Sequence, residues 1–236
     1  LARSRILTGE MAEAAARTLE GAAKALLDYS PELAQQGRDL EEKTDHYEDI
    51  LATYLVKLSA LKISPTDSNR AAMLLKSLND FERIGDHALN LLESAEELQE
   101  KSLSLSDAAK HELGVLVSAV SEIIELSFSA FYHSDLQKAY MVEPLEQVID
   151  DLKEKMRVHH ILRLQQGSCS IETGFVWSDL LTALERVGDH CSNIAGCVVD
   201  LAHHDMNTHE ALRSARIENE NFAKQYKAYA NKYRLV

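Results

Sequence analysis

Leu78-Asn79-Asp80-Phe81-Glu82-Arg83-Ile84-Gly85-Asp86-His87 recurs later in the chain as Leu181-Thr182-Ala183-Leu184-Glu185-Arg186-Val187-Gly188-Asp189-His190. Asn90 and Asn193 extend the match beyond each histidine. The segment ahead of each block repeats as well. Leu40-Glu41 with Asp45 and Asp49 aligns with Leu145-Glu146, Asp150 and Glu154. Two motifs that recur in the same order at nearly the same separation predict an internal duplication.

Working outward, only three prolines and nine glycines interrupt 236 residues, and Ala, Leu, Glu and Lys dominate between them. That composition favours long helices over strands. The breaks predict helices over about 7–29, 39–62, 67–101, 106–142, 144–167, 172–204 and 208–232. Ser106 is expected to cap the fourth, and Pro144 to stand in the first turn of the fifth. Short connections make neighbouring helices antiparallel. The expected fold is all-α: two tandem, pseudo-symmetric three-helix bundles, residues 1–104 and 105–204, followed by a C-terminal helical segment, 205–236.

Hydrophobic residues make up 45% and charged residues 27%, so the chain has the means to bury a core. The formal net charge of −13 argues against a face for DNA, RNA or anionic lipid and, more weakly, against direct phosphate capture. It suits a binder of cations. Cys169, Cys191 and Cys197 form no C-x-x-C pair and read as small residues of a reducing compartment. No segment reads as a membrane span; the best apolar stretch, Leu113 to Val120, is bounded by Glu112 and Glu122.

Each repeat carries Glu-x-x-x-Asp on two successive predicted helices. The first has Glu41, Asp45 and Asp49, then Glu82 and Asp86; the second has Glu146, Asp150 and Glu154, then Glu185 and Asp189. A spacing of four stacks carboxylates on one helix face, where like charges repel. An unfavourable pattern kept in both halves asks for a compensating cation, and oxygen-rich ladders suit hard cations. Glu82 and Glu185 fall inside the apolar arc of their helices, which strengthens the metal reading there. The ladders of the second and fifth helices lie opposite the apolar stripe, where a solvated face is the simpler account. Arg83 and Arg186 offer a competing explanation, as partners of acidic groups on a neighbouring helix. Gly85 and Gly188, costly in a helix, suggest close approach of another helix. His87, His190 and the pair His203-His204 read as cap-like or exposed polar residues, and Trp177 with the helically spaced tyrosines as core. No G-x-S-x-G, phosphate-binding glycine loop, H-E-x-x-H or Glu-x-x-His pair is present, which weakens a carboxylate-cluster metalloenzyme.

The duplicated Glu-Arg-Ile/Val-Gly-Asp-His-x-x-Asn resembles the signature of the PhoU family of phosphate-uptake regulators. The resemblance implies two three-helix bundles, no enzymatic activity, and multinuclear iron or zinc held by Glu41, Asp45, Asp49, Glu82, Asp86, Glu146, Asp150, Glu154, Glu185 and Asp189. The tail carrying Tyr226, Tyr229, Tyr233 and Leu235 resembles the cytoplasmic C-terminal region of bacterial sodium/phosphate cotransporters, and the start at Leu1 fits that picture. The expectation is therefore a cytoplasmic regulatory domain tethered to the inner face of the membrane by a preceding transmembrane domain. The alternative is a free-standing regulator of a phosphate ABC transporter and its sensor kinase. Expected partners are the transporter's membrane domain or subunits, with a sensor kinase and a further copy of the chain as additional candidates, and no nucleic acid.

Overall fold

The computed structural model describes residues 1–203 and 220–235; the expected start of the last helix near Thr208 and His204 lie outside these. Among the described residues the order is α1 (Ala2–Leu27), α2 (Pro31–Ser59), α3 (Pro65–Glu100), α4 (Asp107–His133), α5 (Leu136–Gln165), α6 (Ile171–His203) and α7 (Glu220–Lys232). Local chemistry sets most starts. Ser30, Ser64 and Ser106 each accept a hydrogen bond from the amide three residues on, and Pro31 and Pro65 occupy first-turn positions where no N–H is needed. Ser170 does the same for α6 through the Thr173 amide.

Several boundaries differ from expectation. The first helix begins at Ala2, not near Leu7, and the second begins at Pro31, not near Asp39, because the Ser30 cap starts the helix and Gly37 is accommodated within it. The fourth helix stops at His133, because Ser134 takes a left-handed conformation (φ 52°) and the Asp135 amide closes back on the Ala130 carbonyl at 3.0 Å. Asp135 then caps α5 by accepting from the Gln137 and Lys138 amides. Pro144 consequently sits inside α5, not in its first turn; its ring is buried, and that packing offsets the missing amide. Serine in place of glycine concealed this turn, as it did at Ser102 (φ 51°) after α3. Gly167 (φ 68°) is the left-handed residue after α5.

The helices α1, α2 and α3 pack on one another, as do α4, α5 and α6, and α3 against α6 is the most extensive helix pair. The fold is all-α, two pseudo-symmetric three-helix bundles joined along the helices that carry the repeated motif. Phe81 of α3 meets Phe128 and Phe131 of α4 edge-on at 5.1 Å, so the core runs through both halves. Trp177 is buried, as expected, whereas Tyr54, Tyr132 and Tyr140 are largely exposed. By length and composition α4 does suffice to span a membrane, contrary to expectation, but half of its apolar window is buried in the bundle. The last helix, α7, lies on α5. Tyr229 and Tyr233 are buried, the Tyr226 hydroxyl donates to Asp151, the Tyr233 hydroxyl donates to Glu122, and Lys232 pairs with Glu122 at 2.7 Å.

Candidate metal centres

The acidic ladders lie only in part on solvated faces: Asp45, Asp49 and Glu154 are exposed, whereas Glu41 and Asp150 are half-buried and Glu146 is buried. On α2 the buried residues Ala34, Gly37, Thr44, Leu51 and Leu55 are separated by steps of three, seven, seven and four, and Glu41 and Glu48 divide each step of seven into four and three. On α5 the seam runs through Val142, Glu146, Ile149, Met156, His160 and Arg163, and Lys153 fills its gap. A wheel that scores every glutamate as polar places these residues opposite the core. Packing against α3 and α6 instead draws them into the helix–helix contact.

This geometry closes two quasi-equivalent groups. Oxygens of Glu41, Asp45 and Asp86 lie within 4.8 Å of one another, and so do those of Glu146, Asp150 and Asp189. Each group joins two carboxylates from α2 or α5 to one from α3 or α6. Asp49, Glu82, Glu154 and Glu185 lie outside these triads. Glu82 is adjacent, and burial first, then the Asp86 charge, pushes its carboxyl up to about 7. Burial and neighbouring carboxylates likewise raise Glu41, Asp45 and Asp189 above the ordinary carboxylate range. Glu154 pairs with Arg157 of its own helix at 3.0 Å.

Arg83 and Arg186 do not bridge to another helix. They are half-exposed and turn back along their own helices to Asp86 at 3.1 Å and Asp189 at 3.4 Å. Gly85 and Gly188 face Thr44 and Ile149, but a methyl group at either would sit 3.6 Å from its neighbour, an ordinary contact. The approach is therefore close without excluding alanine.

His87 and His190 are neither caps nor exposed. Their rings stack at 5.5 Å where the two halves meet, and burial, then the facing His190, lowers the His87 pKa. His190 Nδ1 lies 2.9 Å from Asp80 Oδ1, and the Asn193 amide donates to the same oxygen at 3.1 Å. Asp80 is 5% exposed, and its repeat counterpart is Ala183. A buried cluster in the second bundle also went unread. Glu112 is flanked by His159 at 2.6 Å and Arg163 at 2.9 Å, and Arg163 lies over the Trp177 ring. The breaks in repeat symmetry, Asp80 against Ala183 and Glu48 against Lys153, were the available signal.

The donor sets consist of carboxylate oxygens alone, in pairs of centres whose charges repel without a counter-ion. That chemistry fits hard cations such as iron and, less closely, zinc, which more often takes nitrogen or sulfur donors. Fold and site together define a duplicated helical protein with one acidic centre in each half. The PhoU domain matches residues 8–95 and 115–198, and the chain belongs to the PhoU family. It is 29% identical over 180 residues to the phosphate-specific transport system accessory protein PhoU homolog 1 of Thermotoga maritima, covering 76% of this chain and 72% of that protein. Identity to the corresponding homolog of Pseudomonas aeruginosa is 27% over 208 residues, 87% of this chain and 84% of the relative. The crystal structure of PhoU from Pseudomonas aeruginosa superposes with a TM-score of 0.81 at 25% identity, over 86% of this chain and 97% of that one. The regulatory protein PhoU from Streptococcus pneumoniae shares the fold, with a TM-score of 0.77 at 20% identity over 86% and 95% of the two chains.

Proposed function

We propose that this chain is a non-enzymatic, cytoplasmic regulator of phosphate transport that works by contact with transporter subunits and carries metal on its two acidic faces. The observation that carries this reading is the pair of equivalent carboxylate triads, Glu41/Asp45/Asp86 and Glu146/Asp150/Asp189, set into the duplicated fold of the PhoU family. The names of its relatives favour an accessory protein of a phosphate-specific transport system over the tail of a sodium/phosphate cotransporter; a sensor kinase is a further partner of this proposal. The cotransporter reading rests on the tyrosine-bearing C-terminal segment, which here folds back onto α4 and α5.

A bound cation supplies positive charge that relieves repulsion within each triad. The residues do the rest. Glu41, Asp45 and Asp86 would hold the cation between α2 and α3, and Glu146, Asp150 and Asp189 between α5 and α6, so occupancy would be linked to the spacing of these helices. Deleting the gene should derepress a phosphate-starvation reporter in phosphate-rich medium, and the intact gene should restore repression. Unchanged reporter output and phosphate uptake in the deletion strain would refute the regulatory role.

A further inference from the structure

The register that aligns Glu41 with Glu146, Asp45 with Asp150 and Asp49 with Glu154 also aligns Glu48 with Lys153. One step of the duplicated seam is thus an anion in the first half and a cation in the second. Both side chains are partly buried in the seam. Lys153 Nζ lies 3.0 Å from Glu185 Oε1, with 19% and 15% of the two side chains exposed. The two residues line one polar cavity with Asp150 and Glu154. The other oxygen of Glu185 is buried and accepts no hydrogen bond. In the first half the counterpart of Glu185 is Glu82. Each of these glutamates also meets the half-exposed arginine next to it on its own helix, Glu82 with Arg83 at 3.5 Å and Glu185 with Arg186 at 3.9 Å, so the lysine is what the second half adds.

We infer that Lys153 is a tethered counter-cation of the second acidic face, so that a divalent cation loads the first half in preference to the second. This rests on the metal-binding reading above. A lysine ammonium fixed in the seam neutralises part of the carboxylate charge without any ion from solution, and it repels a cation entering beside it. Glu48 does the reverse at the equivalent step, adding a carboxylate next to Asp45 and Asp49. A reversal of charge within several ångströms of a divalent ion, even at the effective dielectric of a protein surface, is worth at least about a tenfold change in affinity. The two halves share a fold and a ligand triad, and they differ in the charge built into the helix seam.

The test is zinc titration of the chelator-stripped full chain by calorimetry, with metal content measured after gel filtration. Asp86→Asn should weaken the tight zinc class by about tenfold or more, whereas Asp189→Asn should change it by less than about twofold. Lys153→Glu should add a second tight class, and Glu48→Lys should weaken the first. Lys153→Met keeps the bulk and removes the charge; it should move binding in the same direction, and it carries the test if Lys153→Glu does not fold. Equal losses in Asp86→Asn and Asp189→Asn, with no gain in either Lys153 variant, would overturn the inference and leave the metal reading standing. A wild-type chain and variants that take up no zinc would overturn both.

Discussion

Asp80 shows how much one buried residue carries. It accepts from Asn193 and pairs with His190 across the junction of the two halves, while its repeat counterpart is an alanine. Asp80→Ala leaves two polar groups of α6 without their partner in a buried setting, and it should destabilise the protein by about 1–3 kcal/mol in urea denaturation. Glu82 carries a pH dependence. With its folded pKa raised to about 7 from an ordinary 4.5, the folded state holds the proton more tightly than the unfolded state across that window. Stability of the metal-free protein should therefore fall as pH rises from 4.5 to 7 and level off above it. The raised carboxyls of Glu41, Asp45 and Asp189 act in the same direction. Melting of chelated protein at pH 5 and pH 8 reads this out, and Glu82→Gln should flatten the profile. Tyr229 offers a third case: its ring is buried, and its hydroxyl has no hydrogen-bond partner. Tyr229→Phe should be neutral or slightly stabilising, whereas Tyr229→Ala should cost about 3 kcal/mol in the same denaturation assay.

For the helices, ends and packing seams answer to different rules. Ser102, exposed and left-handed, bears strain that glycine does not, so Ser102→Gly should raise stability by about 0.5–1 kcal/mol. Gly188 is helical, and an added methyl meets Ile149 at an ordinary distance. Gly188→Ala should gain up to about 1 kcal/mol from helix propensity, measured by the shift in denaturation midpoint. A loss instead would show that α5 and α6 are held closer than the distances indicate. Element existence was readable, and so were the starts of α3, α4 and α6, but Ser30-Pro31 read as the end of α1 and not as the cap and first turn of α2. The break after α4 was not readable, because a left-handed serine carries no glycine signature. Nor was the burial of Glu41, Glu146 and Asp150, because helix seams are defined by what packs on them and not by the polarity of each residue.

For the whole molecule, the repeat predicted two like bundles, and the joint between them is what the repeat left open. α3 and α6 carry the duplicated motif and also form the main junction, so Asp80, His87, His190 and Asn193 serve the joint while Glu82, Asp86, Glu185 and Asp189 face the acidic centres. The proposed metal sites and the junction of the two halves thus share this pair of helices. Removing metal should loosen α2 from α3 before it separates α3 from α6, and hydrogen exchange should rise first in α2 around Glu41–Asp49. Simultaneous exchange across the α3–α6 junction would contradict that order.

The sequence by itself determined the helical class, the duplication, the family and the ten acidic positions, because these rest on local spacing and on repetition along one chain. Tertiary structure alone decided which six carboxylates converge, that Arg83 and Arg186 turn back along their own helices, and that His87 meets His190 between the halves. The physical reason is that ligand geometry and burial depend on the rotation and approach of neighbouring helices. A one-dimensional pattern records each helix's own period but not the face its neighbour covers.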